Sequence, residues 1–310
     1  MRRFIIDTDT AADDAAALIY MLRLEGIKVE AVTTVLGNVT AQKATQNALC
    51  SIEAANTYAP PVYAGCTLPM LKKPYYAMNV HGGDGLGDSG FLPKKLTAQK
   101  GHSVDVICDI IMQNPHEIEL LTLGPLTNIA LAYLKYPQIA SLVKNVTVMG
   151  GSGFEKGNVT DYAEFNIYVD AEAAKVVMNS GMPLTLVGCE LSTDECALND
   201  SDAKILKNSA DPAARFIHAV TKRLRQFDLE TYGRDEIFIP DAVASAVAVD
   251  SSISSYLEPI LADVVVKDEK RYAQIMMERA SAKPNVLLAH KLDSKKFKEM
   301  FFKSVSKAGK

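Results

Sequence analysis

Four aspartates occupy eight consecutive positions near the start of the chain, and they are Asp7, Asp9, Asp13 and Asp14. They follow an apolar run at 4–6, which predicts a short buried strand, and precede a predicted helix that runs from Ala15 to a stop at Gly26. Two acids in a first helical turn are ordinary capping chemistry, but caps do not require acids on the preceding strand. Clustered carboxylates repel one another unless a cation compensates them, so the pattern predicts a metal or catalytic site.

Composition restricts the class of protein. The chain has 310 residues, 48% hydrophobic and 23% charged, which is typical of a globular protein with one large α/β domain or two small ones. A formal charge of -4 argues against a nucleic-acid partner. No apolar run approaches the ~20 residues that span a bilayer, and no signal peptide precedes the first strand, so we expect no membrane partner and a cytoplasmic location. Five cysteines without CxxC spacing indicate reduced thiols.

Strand-like and helix-like segments alternate along most of the chain, which predicts an α/β fold with a mostly parallel central sheet flanked by helices, a Rossmann-like core. No interior linker is evident, so one domain over residues 1–310 is expected. Predicted strands are 29–36, 62–65, 118–123, 146–149, 184–187, 259–266, 272–277 and 285–289, with 259–266 and 272–277 as an antiparallel pair. Predicted helices are 41–56, 103–113, 126–134, 171–179, 211–227, 242–249 and 294–305, whereas 66–101 and 152–166 carry no clear periodicity.

Several predicted strands are followed by polar or glycine-rich turns, at 37–38, 81–87, 124–128, 150–151, 163–166 and 240–241. A single glycine at a turn usually serves backbone geometry only. Repeated at successive strand ends of one sheet, these turns predict one crevice lined by amides, carboxylates and backbone. Such a lining suits a ligand that bears several hydroxyl groups.

The motifs occur in an order that identifies a family. DTDTAADD at 7–14 is followed by HGGDGLG at 81–87, GPLTNIA at 124–130, MGG at 149–151, GNVT at 157–160 and AEFN at 163–166. From Ile5 to about Val249 the chain resembles the inosine-uridine preferring nucleoside hydrolases. The resemblance implies a single-domain α/β fold, a bound Ca²⁺, and hydrolysis of ribonucleosides to free base and ribose in purine or pyrimidine salvage. It also implies a homodimer or homotetramer.

The resemblance also implies roles for individual residues. Asp9 would be the general base, in contact with the Ca²⁺ and with the attacking water that the ion binds. Asp14, Asp241 and the Leu123 carbonyl would complete the metal ligands, and Asp7 would brace the loop. The expected substrate-binding residues are Asp13, Asn38, His81, Met149, Asn158, Glu164, Phe165 and Asn166. Thr10-Ala11 stands where the family usually has Pro-Gly, and we expect metal binding to survive this change because the four acids remain.

Cleavage of a nucleoside passes through an oxocarbenium-like sugar, so an enzyme must deliver water, stabilise positive charge and help the base leave. The third requirement has no assigned residue, because Pro240 stands where many family members carry a histidine. The candidates in nearby loops are His81, Tyr232, Arg234 and Glu236, of which Tyr232 and Arg234 are taken as catalytic. Phe154, Phe165 and Tyr168 are the candidates for stacking on the base.

Two other functions fit parts of the sequence. The segment 4–10 also matches the apolar-Asp-x-Asp-x-Thr opening of haloacid-dehalogenase-type phosphatases, with Asp7 as nucleophile and Mg²⁺ as metal, but this leaves Asp13, Asp14 and Asp241 unexplained. Alternatively, the chain is a non-catalytic nucleoside-binding protein that kept the metal and ribose site without turnover.

Overall fold

The computed structural model describes residues 1–306, and within them nine strands form one sheet in the order β3-β2-β1-β4-β5-β6-β9-β7-β8. The strands are β1 Arg2–Thr8, β2 Ile27–Thr34, β3 Val62–Ala64, β4 Ile118–Thr122, β5 Asn145–Met149, β6 Leu184–Val187, β7 Leu257–Val264, β8 Ile275–Arg279 and β9 Val286–Ala289. Every neighbouring pair is parallel except those that involve β7, which is antiparallel to both β9 and β8.

Helices cover both faces of this sheet. They are α1 Ala12–Leu22, α2 Ala41–Ala55, α3 Met78–His81, α4 Ser103–Gln113, α5 Thr127–Lys135, α6 Ile139–Leu142, α7 Phe165–Val169, α8 Ala171–Met178, α9 Asp200–Asn208, α10 Pro212–Val220, α11 Lys222–Tyr232, α12 Pro240–Val249 and α13 Ser294–Val305. Short 3₁₀ turns lie at Cys189–Ser192, Asp194–Cys196 and Ser251–Ile253. The βα alternation places one buried apolar cluster on each face of the sheet.

The chain reverses its direction of strand addition at β1. Strands β2 and β3 are added on one side of β1, and β4, β5 and β6 on the other. In open α/β sheets this reversal leaves a crevice at the carboxyl ends of the two central strands, where ligands bind. The crevice here lies after Thr8 of β1 and Thr122 of β4, so the aspartates that follow β1 open into it.

Helix α1 is buried along its whole length, and this fixes the position of its first turn. Its small residues, such as Ala15, Ala16 and Ala17, allow close approach of α2 and α12. The C-terminal helix α13 covers the rest of α1, with Phe297 and Phe301 fully buried. The Phe301 ring centroid lies 6.0 Å from that of Tyr20 in α1.

The predicted fold class, a single α/β domain with a mostly parallel sheet, is confirmed, and so is the antiparallel pair near the C-terminus. The predicted helix 211–227 is wrong: it is two helices that meet at Thr221, whose hydroxyl donates to the Ile217 carbonyl. Helix α1 begins three residues before Ala15, and the helices α3, α6, α7 and α9 were not predicted. The predicted domain covers residues 1–310, of which 307–310 lie outside the described residues.

No helix among residues 1–306 combines the length and apolarity needed to cross a bilayer. The five cysteines are free thiols. The expected cytoplasmic location and the homodimer or homotetramer stay predictions.

Phe301→Ala should lower the free energy of unfolding by about 3–5 kcal/mol, because it leaves a cavity between α13 and α1. Chemical denaturation monitored by circular dichroism measures the loss. The matched control is Lys303→Ala on the exposed face of the same helix, which should change stability by less than about 0.5 kcal/mol. Equal effects of the two substitutions would contradict the packing of α13 on α1.

Candidate active site

Asp7 is the single acid of β1, and its hydrogen bonds hold it against neighbouring elements. Its Oδ1 accepts hydrogen bonds from the Thr33 hydroxyl (2.6 Å) and the Asn128 side-chain amide (2.8 Å). Complete burial raises the pKa of Asp7 to about 7. Asp7 therefore links β1 to β2 and α5, which is the bracing position that the sequence predicts for it.

Asp9 follows β1 and is wedged between two glycine turns. Its Oδ2 accepts the Asn38 backbone N–H at 2.6 Å, while its buried Oδ1 has no hydrogen-bond partner among residues 1–306. A Cβ at Gly37 would lie 2.0 Å from Asp9 Oδ2, and one at Gly124 would lie 2.7 Å from Oδ1. Both turns therefore need glycine for this close approach. Burial and then the charge of Asp14 raise the pKa of Asp9 well above its ordinary value.

The first turn of α1 carries Asp13 and Asp14. Asp14 Oδ2 accepts the Ala11 backbone N–H at 2.8 Å, and its Oδ1 accepts the Thr8 hydroxyl. The helix start is thus capped from inside its first turn, and the replacement at Thr10-Ala11 leaves that cap in place. Asp13 Oδ1 is buried without a hydrogen-bond partner in the described part of the chain. Burial raises the pKa of each of these two carboxyls to about 6.

Asp241 reaches the same place from the first turn of α12 and is 2% exposed. One carboxylate oxygen from each of Asp13, Asp14 and Asp241 lies within 4.8 Å of the others, and all three residues are buried. Burial and then Asp14, Asp13 and Asp9 raise the pKa of Asp241 well above its ordinary value. Buried anionic oxygens this close, with an unpartnered Asp9 oxygen nearby, are a donor set suited to a hard divalent cation.

The structure thus brings together two of the predicted metal ligands, Asp14 and Asp241. Asp13, which the sequence assigns to the ribose, belongs to the tight triplet of carboxylates, whereas Asp9 lies beside that triplet. The Leu123 carbonyl follows β4 and accepts the Asn166 side-chain amide at 2.8 Å, so this backbone oxygen also faces the crevice.

A cavity of about 520 Å³ opens above the carboxylates. The predicted site residues that line it are Asp13, Asn38, His81, Leu123, Met149, Asn158, Glu164, Phe165, Asn166, Tyr232, Arg234 and Asp241. Asp9 and Asp14 are fully buried and lie outside this lining. A cavity of this size, polar at one wall and aromatic at another, accommodates a small polar ligand with one ring system.

The segment before and within α7 forms one polar wall of the cavity. Glu164 caps α7 by accepting the Asn166 backbone N–H at 3.0 Å, and it also accepts the Gly151 N–H at 2.9 Å. Burial raises the pKa of Glu164 to about 7. Asn158 Oδ1 accepts the Phe165 N–H at 2.9 Å, which fixes the loop before the helix. These backbone contacts orient the Glu164 and Asn166 side chains toward the cavity.

Three predicted candidates for base recognition or catalysis line the cavity in different states. His81 Nδ1 lies 3.7 Å from Asp13 Oδ1, and burial lowers the pKa of His81 to about 4, so its ring is neutral near pH 7. Arg234 forms ion pairs with Asp194 (2.8 Å) and Glu236 (2.7 Å), which raise its pKa. Burial raises the pKa of Tyr232 above its ordinary value.

The predictions for aromatic stacking are only partly met. Phe165 lines the cavity, but Phe154 lies outside it, under the Arg279 guanidinium at 4.1 Å. Tyr168 also lies outside the lining and packs edge-on against Tyr75 and Tyr272. Both were assigned from their positions near strand ends, which do not determine the direction of a side chain in a loop.

Other cavity residues were not predicted, namely Tyr75, Cys189, Glu190, Phe227, Asp228 and Phe238. Asp228 is the most notable, because it is a buried acid four residues before Tyr232 on α11. Residues spaced by four share a helix face, so this spacing in the sequence is the signal that could have found it.

Comparison with known proteins gives one consistent result. The family model described as inosine-uridine preferring nucleoside hydrolase matches residues 4–299. A protein of Oryza sativa subsp. japonica named "Probable uridine nucleosidase 2" is 39% identical over 250 residues, which cover 80% of this chain and 74% of that protein. The inosine-uridine preferring nucleoside hydrolase of Leishmania major is 35% identical over 256 residues, covering 81% of this chain and 80% of that protein.

A solved structure extends the likeness to the whole fold. The purine-preferring ribonucleoside hydrolase from Gardnerella vaginalis superimposes with a TM-score of 0.91 at 26% identity, over 98% of each chain. Motif order, carboxylate geometry, the family model and the superposition all agree. The chain belongs to the inosine-uridine preferring nucleoside hydrolase family.

Proposed function

We propose that this N-ribosyl hydrolase cleaves ribonucleosides to free base and ribose with Asp9 as general base, at a Ca²⁺ site formed by Asp9, Asp14, Asp241 and the Leu123 carbonyl. Family membership supports the reaction class. The observation that carries the proposal is the convergence of buried carboxylates from α1 and α12 beside the unpartnered Asp9 Oδ1.

The cation fits the donor set on charge and on ligand type. Carboxylate and carbonyl oxygens are the ligands that Ca²⁺ prefers. When bound, a divalent cation would keep these carboxylates ionised, polarise a water and orient the sugar hydroxyls. Asp13 lies close enough to Asp14 and Asp241 to act as a further ligand as well as a ribose contact.

Asp9 has the geometry that a general base needs. The Asn38 N–H and the Gly37 and Gly124 turns fix one orientation of the carboxylate. This leaves Oδ1 free to accept a proton from a water that attacks C1′. Because the carboxylate is already fixed, no reorganisation is required at the moment of reaction.

The ribose would be held by Asp13, Asn38, Glu164 and Asn166, which share the polar part of the cavity. Their carbonyl and carboxylate oxygens would accept hydrogen bonds from the sugar hydroxyls, and the side-chain amides of Asn38 and Asn166 would donate hydrogen bonds to the hydroxyl oxygens. The surrounding negative charge favours the cationic sugar of the transition state over the neutral substrate.

Of the two other functions, the phosphatase is disfavoured by the position of Asp7. Asp7 Oδ1 accepts hydrogen bonds from Thr33 and Asn128, which tie its carboxylate to β2 and α5. A phosphatase would also leave the meeting of Asp13, Asp14 and Asp241 without a role. The non-catalytic nucleoside-binding protein differs from the proposal only in turnover, which the first experiment below measures.

A panel of uridine, inosine, adenosine and cytidine should release free ribose from at least one member, because the ribose wall is shared by all four. A Ca²⁺-selective chelator should lower the rate by at least ~10²-fold, by analogy with the loss of a catalytic metal, and added Ca²⁺ should restore it. Ribose is measured as reducing sugar, with a phosphate ester as the negative control. Binding of these nucleosides without any ribose release would instead favour the non-catalytic protein.

Asp241→Asn should stabilise the chelator-treated protein at pH 7 by at least about 1 kcal/mol, because it removes one of several crowded buried charges. The pKa of Asp241 is higher in the folded state than in the unfolded state, so above pH ~4 the folded state binds more protons. The destabilisation caused by the Asp241 charge therefore grows as pH rises. The advantage of the variant should therefore shrink toward pH 4. Denaturation curves at several pH values measure this.

The same curves with added Ca²⁺ test the ligand assignment. Ca²⁺ should stabilise the unsubstituted protein and not the Asp241→Asn protein. Asp109→Asn, on the exposed surface of α4, is the control and should match the unsubstituted protein throughout. An undiminished response to Ca²⁺ in Asp241→Asn would remove Asp241 from the site.

Asp9→Asn should lower kcat for the best nucleoside by ~10²–10⁴-fold, because the amide cannot accept the proton from water. The fold should persist, since an amide oxygen still accepts the Asn38 N–H. Steady-state kinetics beside circular dichroism measure both properties, with Asp109→Asn as the control. Near-normal turnover by a folded Asp9→Asn protein would place the general base elsewhere.

A further inference from the structure

The departing base needs a proton donor, and α12 supplies none. Pro240, at the first position of that helix, lines the cavity but carries no ionisable group. Another part of the lining is formed by α11 and the segment after it, where Phe227, Tyr232 and Phe238 pack ring against ring. An aromatic wall of this kind is where a planar base would lie.

Asp228 is embedded in this aromatic wall. It is 2% exposed yet lines the cavity, and its Oδ2 accepts the Phe238 backbone N–H at 3.1 Å. Within residues 1–306 this is the hydrogen bond that the carboxyl accepts, and none reaches Oδ1, so one oxygen is fixed and the other is available to a ligand. Burial raises the pKa of Asp228 to about 7, which lets it hold a proton near neutral pH.

The other ionisable residues of the cavity are less suited to donate this proton. His81 is neutral at pH 7, and Arg234 is held in two ion pairs that raise its pKa. Tyr232, whose pKa is raised above that of an ordinary phenol, is a weak acid. Both carboxyl oxygens of Glu164 already accept hydrogen bonds from backbone N–H groups, those of Gly151, Asn166 and Ile167.

Glu190 is the one close competitor. Burial raises its pKa to about 7, as for Asp228, and it lines the same cavity. Its buried Oε2 also has no hydrogen-bond partner in the described part of the chain, but both of its oxygens are packed against the backbone of two turns. A Cβ at Gly188 or Gly153 would lie 2.0 Å or 2.6 Å from them. Asp228 instead is anchored through one oxygen only, to the Phe238 N–H, in the part of the lining that carries Phe227, Tyr232 and Phe238.

We propose that Asp228 is the acid that protonates the departing base, with Tyr232 one helical turn later positioning that base. This inference rests on the proposed hydrolase function. The C1′–N bond breaks and its electron pair stays on the base, which takes the proton from Asp228. Water adds to C1′ and gives a proton to Asp9. Return of that proton, through solvent, to Asp228 completes a balanced cycle of one nucleoside and one water to one base and one ribose.

The test compares two leaving groups in one active site. Asp228→Asn keeps the size of the side chain and its acceptor for the Phe238 N–H but has no acidic proton. It should lower kcat for the best nucleoside by ~10²–10⁴-fold. With p-nitrophenyl β-D-ribofuranoside, whose leaving group departs as a stable anion, kcat should change less than about threefold, as expected when no general acid is needed.

Three further variants complete the experiment. Glu230→Gln, an exposed acid on α11 outside the cavity, should leave both substrates unaffected. Glu190→Gln should lack the selective loss on nucleosides. Asp228→Glu keeps an acidic proton and should recover part of the nucleoside activity that Asp228→Asn loses. Retained cleavage of the p-nitrophenyl riboside also reports that each variant is folded.

The pH profile gives an independent readout. Nucleoside turnover should fall as pH rises through the pKa of Asp228, because this carboxyl must be protonated. The pH profile of Asp228→Asn should lack this alkaline decrease. The charged and titratable groups that act on Asp228 are Asp13 from α1, Glu236 and Arg234 from the segment after α11, and Tyr232 on its own helix. Cleavage of the p-nitrophenyl riboside should not show this alkaline decrease with either protein.

Equal losses of Asp228→Asn on both substrates, or no loss on either, would overturn the assignment. A selective loss in Glu190→Gln in place of Asp228→Asn would move the role to Glu190. If the unsubstituted protein cleaves nucleosides and Asp228→Asn cleaves them equally fast, the inference fails alone. If it cleaves neither substrate in the presence of Ca²⁺, the proposed function itself fails.

Discussion

The structure depends on keeping several carboxylates close together in a place that water hardly reaches. Asp9, Asp14 and Asp241 are almost fully buried, and desolvation, followed by mutual repulsion, raises the pKa of Asp9 and Asp241. Such a cluster opposes folding unless hydrogen bonds and a cation offset its charge. The helix starts at α1 and α12 contribute positive dipole ends, but these give only about 0.3–1 kcal/mol each. The surrounding fold must therefore be rigid.

That rigidity comes from the centre of the sheet. Strand β1 lies between β2 and β4, and α1 is buried beneath α2, α12 and α13. Asp7 ties the end of β1 to its neighbours, while the Gly37 and Gly124 turns close on Asp9. The acids are thus positioned by elements that cannot shift separately, since each packs against the others. A site preorganised in this way can stabilise developing charge without rearrangement.

Much of this was predictable from sequence, because periodicity and turn residues report local structure. The alternation of strand-like and helix-like segments predicted the sheet and many of the helices, and the four aspartates of DTDTAADD predicted a metal or catalytic site after β1. The meeting of Asp241 with Asp14 follows from tertiary packing of α12 on α1, which no local pattern encodes, and only the family resemblance pointed to it. Asp228 was missed because the predicted helix 211–227 ends just before it, whereas α11 runs from Lys222 to Tyr232 and the burial of Asp228 against the cavity is a matter of tertiary packing.

The acids of the site differ in how their carboxyl oxygens are hydrogen-bonded, and this difference suits them to different roles. Glu164 and Asp9 accept backbone N–H groups and so have fixed directions, which suits holding hydroxyls or receiving a proton from water. Asp228 has one anchored oxygen and one unbonded oxygen in aromatic surroundings, where a carboxyl retains its proton near neutral pH. Two carboxyls in one cavity can then take opposite roles, because their environments differ. Proline at position 240 is compatible with activity under this arrangement, since Asp228 on α11 supplies the proton that α12 does not.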